Sequence, residues 1–351
     1  MNIPKLKKIK SEKKYHDITI RDDYSWVDQP NILEVLKDSS KLLPDVRKYI
    51  EENNKHTKDY FVDVGNLQKK LFEEIKSKIK LDDTSLKFMD KKYYYWVKTE
   101  AKGNYGKRIR QLIDASKPEE VYFDGDIEKK KTGSEYFGLG NVSVSPNDEY
   151  MAYSLDLKGS EYYTIYLRDL RTGKNEKDII ENTSGGITWS LDSKSFFYSK
   201  LDKFHRPRQI FKHMIGTSIK DDKLIFEEKD ETFTCGIGLT SDEKFFIIST
   251  SDHITTEDYF FPSDANEIKP VLFKQRKKDV RYSIDSWKGY FYVHTNEDAR
   301  DYKILRCKID SIEKLEVFIP SKKETVIGSL DFLDDYMIRG EKTDAIPKLL
   351  I

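Results

Sequence analysis

Residue spacings that could carry nucleophilic, phosphate or metal chemistry are almost missing from this chain. The nearest approach to a G-x-S-x-G nucleophile elbow is Gly216-Thr217-Ser218-Ile219-Lys220, which lacks the second glycine and falls in an expected outer turn between strands. No H-E-x-x-H helix, Walker A loop or C-x-x-C pair occurs. Gly138-Leu139-Gly140 and Gly236-Ile237-Gly238 begin like a dinucleotide fingerprint. Each leads into a β pattern instead of the helix whose N-terminus would receive a pyrophosphate, so both are read as strand beginnings. His16, His56, His205, His213, His253 and His294 lie scattered without ligand spacing and are read as hydrogen-bonded or surface imidazoles. The acidic stretch Glu227-Glu228-Lys229-Asp230-Glu231 could attract a basic substrate, but a charge run between two strands reads as a solvated turn. Lysines and aromatics interleave over 91–98, yet the Tyr and Trp residues alternate as a β-strand would, so no nucleic-acid patch is assigned. The sequence thus nominates no catalytic, cofactor-binding or metal-ligating residue.

Composition agrees. Among 351 residues, 62 Lys plus Arg balance 62 Asp plus Glu, leaving no net field to draw in nucleic acid or anionic lipid. Mean hydropathy is −0.71. Even so, 22 Tyr, 19 Phe and 4 Trp supply aromatic area for a core, which disordered chains lack. Cys235 and Cys307 form no framework and are expected to be free, buried thiols in a reducing compartment. The basic segment Met1–Lys14 has no apolar stretch after it, so it is not a signal peptide. No apolar run approaches the roughly 20 residues a membrane span needs, and the expected location is the cytoplasm.

Two regions differ in period. Residues 1–80 read as a helical extension. A short turn is expected over Asn31–Lys37, and Pro44 suits the first turn of a helix. Val46, Tyr49, Ile50, Asn53, Thr57, Tyr60 and Phe61 follow at helical steps. Gly65 and Asn66 break the run, and Leu67, Leu71, Phe72, Ile75 and Ile79 restart it.

Residues 81–351 change to short aromatic and β-branched runs cut by polar turns. Ser145-Pro146-Asn147-Asp148-Glu149 precedes Tyr150-Met151-Ala152-Tyr153-Ser154; Ser190-Leu191-Asp192-Ser193-Lys194 precedes Ser195-Phe196-Phe197-Tyr198-Ser199. Thr240-Ser241-Asp242-Glu243-Lys244 precedes Phe245-Phe246-Ile247-Ile248-Ser249. The units recur every 45 to 50 residues or so, the length of a four-stranded propeller blade. Weaker copies precede Tyr93-Tyr94-Tyr95-Trp96, Tyr290-Phe291-Tyr292-Val293 and Tyr336-Met337-Ile338, making about six blades with the sixth cut short. The expected fold is therefore mainly β, an incomplete seven-bladed β-propeller preceded by an N-terminal α-helical segment.

Three features carry a family resemblance. Arg21-Asp22-Asp23-Tyr24-Ser25-Trp26-Val27-Asp28 resembles the D-x-Y-x-W-L-R-D opening of the prolyl oligopeptidase family of serine peptidases, with Val27 and Asp28-Gln29 departing from its Leu-Arg-Asp. Tyr136–Gly140 through Val144-Ser145-Pro146, followed by Tyr153–Asp156, and Ile180–Gly186 before Trp189 are similar to the oligopeptidase B (protease II) branch. So is His213-Met214-Ile215-Gly216-Thr217 followed by Ile225–Glu231. The resemblance implies a propeller that caps an α/β-hydrolase domain bearing a Ser-Asp-His triad, with residues 1–80 packing on that domain. It implies cleavage of short peptides after Lys or Arg, with the propeller screening out large folded substrates and no cofactor. No triad position has a counterpart here, so the chain reads as an N-terminal portion, inactive alone, from a frameshifted gene or one half of a split enzyme whose partner is a separately encoded hydrolase half. The alternative is a non-catalytic propeller serving as a binding or scaffold module.

Overall fold

The computed structural model describes residues 3–351. Two compact units are present: Met1–Glu135 with Lys158–Ser160, and Tyr136–Leu157 with Glu161–Ile351.

The first unit opens with a hairpin of β1 (Glu12–Tyr15) and β2 (Ile18–Arg21), closed across its open end by an Arg21–Glu12 ion pair of 2.8 Å. Helices α1 (Ile32–Lys37), α2 (Pro44–Tyr60) and α3 (Gly65–Ser77) follow, with Pro44 in the first turn as its fixed φ favours. One boundary differs from expectation. The break falls at Phe61–Val64, where the chain tightens into a 3-10 turn, and Gly65 is already right-handed helix at φ −56°. Its glycine signal is therefore spent in a first turn, not in a stop. Of α2 and α3 only Val46 is buried, while Leu71, Phe72 and Ile75 are exposed. Strands β3 (Asp83–Thr84), β4 (Phe88–Asp90), β5 (Tyr93–Thr99), β6 (Lys107–Leu112) and β7 (Glu120–Asp124) form the first blade-like sheet. The Asp124 carboxylate then caps α4 (Gly125–Thr132) by accepting the Asp126 and Ile127 amides at 3.1 Å.

The second unit is a succession of antiparallel blades. Blade 2 holds β8 (Gly138–Val144), β9 (Tyr150–Asp156), β10 (Tyr163–Asp169) and the first part of β11 (Lys174–Trp189). The second part of β11 starts blade 3, which continues through β12 (Ser195–Leu201), β13 (Pro207–Met214) and β14 (Lys223–Glu227). Between the two roles β11 slips register after Thr183, and Gly185 sits at φ +88° with its α-carbon against the Tyr163 ring. A Cβ there would lie 2.9 Å from Tyr163, so the bend needs glycine twice over, for conformation and for space. Blade 4 is β15 (Thr234–Leu239), β16 (Phe245–Ser251), β17 (Thr256–Pro262) and β18 (Val271–Leu272). Blade 5 is β19 (Tyr282–Trp287), β20 (Tyr290–Thr295), β21 (Lys303–Lys308) and β22 (Glu316–Ile319). The last sheet has three strands, β23 (Thr325–Phe332), β24 (Met337–Thr343) and β25 (Ile346–Leu350).

The cores lie between successive blades, which explains why the second strands are continuously apolar. Along β12, Phe196 and Tyr198 pack with Trp189 and Ile165, while Phe197 packs on the opposite side with Phe246 and Phe261. Along β16, Phe246 and Ile248 join that second cluster, and Phe245 and Ile247 face Phe291 and Val293 of blade 5. Along β20, Tyr292 turns the other way, toward Ile327 and Phe332. Side chains alternate faces along a strand, so a strand buried on both faces has no polar beat.

The repeated turns share one hydrogen-bond pattern. The hydroxyls of Ser145, Ser190 and Thr240 accept the amides of Tyr150, Ser195 and Phe245 at 2.9, 3.2 and 3.1 Å. The residues at Asp148, Ser193 and Glu243 take positive φ in each. The strands that follow, β9, β12 and β16, are equivalent second strands of their blades.

Candidate functional site

Antiparallel hairpins place these tight turns at one end of the blades and the longer connections at the other. That second end collects segments 202–206, 228–233, 252–255, 273–281 and 296–302, tied together by their own backbone: Thr256 donates to Val280 and Asn296 to Arg281.

Charge organises this end. Arg276 presents two guanidinium nitrogens to the two Glu228 oxygens at 3.1 and 3.2 Å, its Nε lies 3.8 Å from Glu257, and its own amide donates to Glu257 at 3.1 Å. The guanidinium also stacks 4.0 Å over the Phe233 ring. Partial burial works against this charge, yet the Glu228 and Glu257 carboxylates hold its pKa above the ordinary arginine value. Arg208 grips Asp202 at 2.6 Å and donates to the Glu228 and Lys229 carbonyls, so the 228–233 segment is held from both sides. Glu297 pairs with Lys274 and, at 3.7 Å, with Lys277; the Lys274 hydrogen bond is the main reason its pKa is lowered.

Beside Glu257 sits Asp258, 1% exposed, on β17. Burial pushes its carboxyl up to about 7; the Ser249 hydroxyl and Ile284 amide pull the other way, and the Glu257 charge adds a smaller push upward. Between β16, β19 and β20 the same end opens into a cavity of about 310 Å³ lined in part by Ser251, Asp252, Arg281, Ser283, His294 and Tyr302.

The histidines and cysteines of the sequence fall into separate environments. His213 is fully buried between carboxylates, with Nε2 2.9 Å from Asp178 of blade 2 and Nδ1 2.7 Å from Asp222 of blade 3. It is a clasp between neighbouring blades. His205 meets the Tyr162 ring edge-on at 4.3 Å, His56 lies near Tyr60, and His294 stacks on Tyr302. Among the described residues no histidine hydrogen-bonds a serine, threonine or cysteine side chain, and no group of three or more His, Cys, Asp or Glu is placed to hold a metal. Cys235 and Cys307 are buried, unpaired thiols, pushed by burial up to about 12 and about 11. Gly138–Gly140 and Gly236–Gly238 lie in β8 and β15, and Gly216 turns the chain between β13 and β14. Among the described residues no helix is long and apolar enough to cross a membrane.

One expectation is revised. The acidic stretch is not all a solvated turn, since Glu228 is 4% exposed and bound by Arg276. The signal lay in charge complementarity: the basic run Lys274–Lys278 sits one blade length beyond Glu227–Glu231, and the Glu228–Arg276 pair spans 48 positions. Asp258, Arg281 and His294 had no spacing signal.

At this end the loops are held to one another by largely paired charges. The family described as "Prolyl oligopeptidase, N-terminal beta-propeller domain" matches residues 4–351. Dipeptidyl aminopeptidase BI of Pseudoxanthomonas mexicana is 25% identical over 353 residues, covering 96% of this chain and 47% of that protein. Protease 2 of Moraxella lacunata is 24% identical over 97% of this chain and 49% of its own length. Oligopeptidase B from Trypanosoma brucei with covalently bound antipain, in a closed form, superposes with a TM-score of 0.87 at 21% identity, covering 99% of this chain and 50% of that one. Oligopeptidase B from Leishmania major gives the same TM-score, 0.87, at 20% identity over 97% of this chain and 49% of that one. The chain spans about half the length of these relatives. With inter-blade cores and a turn repeated along the chain, and a family match over residues 4–351, this mainly β chain of open sheets and an N-terminal helical part belongs to the prolyl oligopeptidase N-terminal β-propeller family.

Proposed function

We propose that this chain is the propeller portion of a serine oligopeptidase that cleaves short peptides after Lys or Arg, that the propeller screens out large folded substrates, and that the chain is inactive alone. The family match over residues 4–351, at half the length of relatives named as peptidases, is the observation that carries this reading. Acyl transfer needs a nucleophile, a base and oxyanion donors held within hydrogen-bond reach, and no described histidine makes such a pair.

The helical segment supports the same reading. Leu67, Leu71, Phe72, Ile75 and Ile79 are exposed along α3 and just beyond it, Phe72 and Ile75 at 61% and 62%. A stripe of that size in water is an association surface. In this reading residues 1–80 are the strap that packs on an α/β-hydrolase half, and 81–351 are the propeller. That half is either continuous with this chain or separately encoded. The buried, unpaired Cys235 and Cys307 suit a reducing cytoplasm.

The test is a cleavage profile of this chain joined to, or assembled with, an α/β-hydrolase half, using peptide libraries varied at the residue before the scissile bond. Cleavage after Lys and Arg, with a folded protein carrying the same sites left intact, is the expected result. Cleavage after Pro, or no residue preference, contradicts it.

A further inference from the structure

The cavity between blades 4 and 5 is lined by an exposed cation that has no ion-pair partner among the described residues. Arg276 is clamped by two carboxylates, but Arg281, five residues on, has no carboxylate within ion-pair distance among the described residues. Its Nη2 donates to the His253 carbonyl and its amide donates to the Asn296 side chain at 2.7 Å, which fixes the stem and leaves further guanidinium donors free.

His294 supplies the opposite function. Its Nε2 lies 2.7 Å from the Ile327 carbonyl, an oxygen that can only accept, so Nε2 carries the proton. Burial lowers its pKa, so the ring is neutral near pH 7 and Nδ1 is a lone-pair acceptor with no partner among the described residues. The Tyr302 ring stacks on it at 4.5 Å and 13°, from a backbone at φ +67° that tyrosine seldom adopts. The Ser251 and Ser283 hydroxyls make no hydrogen bond among the described residues, and both line the cavity. Asp252, also in the lining, is committed to its own turn by accepting the Ile254 and Thr255 amides at 2.8 and 2.6 Å, which lower its pKa.

A guanidinium with donors to spare, two hydroxyls without partners among the described residues and one lone-pair acceptor, in about 310 Å³, match a carboxylate next to an N–H donor. We infer that this cavity is a subsite for the C-terminal end of a short peptide. Arg281 and the serine hydroxyls take the α-carboxylate, His294 Nδ1 accepts the last amide N–H, and the Tyr302 ring walls one side. The assignment rests on the peptide-directed reading above.

Isothermal titration of the 351-residue chain with a tripeptide free acid, its C-terminal amide, the same amide carrying one Glu side chain, and inorganic phosphate tests it. The free acid is expected to bind at least about tenfold more tightly than either amide, the scale of one charge-assisted pair. Arg281→Gln, at an exposed position, is expected to abolish that preference while circular dichroism stays unchanged, and Ser283→Ala to reduce it. Equal binding of acid and amide, an unchanged preference in either variant, tight binding of the Glu-bearing amide, or phosphate binding as tight as the peptide acid would each overturn the assignment. The readout is binding without turnover, so its failure is distinct from a failed Lys/Arg cleavage profile.

Discussion

The indole N–H of Trp189 donates to the carbonyl of Ser143 at 3.1 Å across 46 positions, joining the first strands of two consecutive blades. Trp287 makes a bond of the same span, 46 positions, to the Leu333 carbonyl at 2.8 Å in a more exposed setting. Trp189→Phe keeps an aromatic ring but removes the donor and leaves a gap in a well-filled core. The expected loss is about 2 kcal/mol from an unpaired carbonyl and lost packing. Trp287→Phe should cost less, because water can reach its partner. Urea unfolding of both variants checks the order; equal midpoints would contradict it.

Arg276 neutralises Glu228 and Glu257, both 4% exposed. Arg276→Met leaves two buried carboxylates facing each other, and the expected destabilisation is about 3 kcal/mol. Glu228→Gln in the same chain should recover part of that loss, since the uncompensated charge is what costs. A double-mutant cycle by denaturant unfolding measures the coupling, and simple additivity would show that the pair is not coupled.

Asp258 sets a pH dependence. Its folded pKa is raised to about 7 from an ordinary 3.8, so between these values the folded state holds a proton that the unfolded state has released. The stabilisation is complete below about pH 4 and is lost as pH rises through about 7. Asp258→Asn removes the titration, so the variant should be more stable than the parent at pH 8 and show a flatter profile between pH 4 and 7. Thermal unfolding of both proteins from about pH 4 to 8 is the check; a parent that gains stability from this residue with rising pH would reverse the sign.

The blades were legible because their turns repeat a chemistry, not merely a composition. Ser145, Ser190 and Thr240 each stand five residues before the strand amide they bind, so similar residues recur at similar spacing. The α2 start was legible through Pro44, whereas the stop was not: Gly65 looked like a breaker, but the chain had already tightened at Phe61–Val64. The residues lining the cavity were least legible. Arg281 and His294 line one cavity because β19, which follows Arg281, pairs with β20, Ser283 opposite His294, and neither residue differs in sequence from an ordinary surface arginine or histidine. The burial of Glu228 was signalled only by the complementary basic run one blade length on, since it is decided by Arg276 from the next blade.

The proposal that this propeller portion has no active centre of its own can be tested directly. Incubating the purified 351-residue chain with a fluorophosphonate serine label, alongside chromogenic peptides ending in Lys or Arg, tests it most directly, with a full-length relative as the labelled control. The account predicts no label incorporation and no hydrolysis above the buffer rate. Stoichiometric labelling of a serine in this chain, with turnover of the basic peptides, would contradict it.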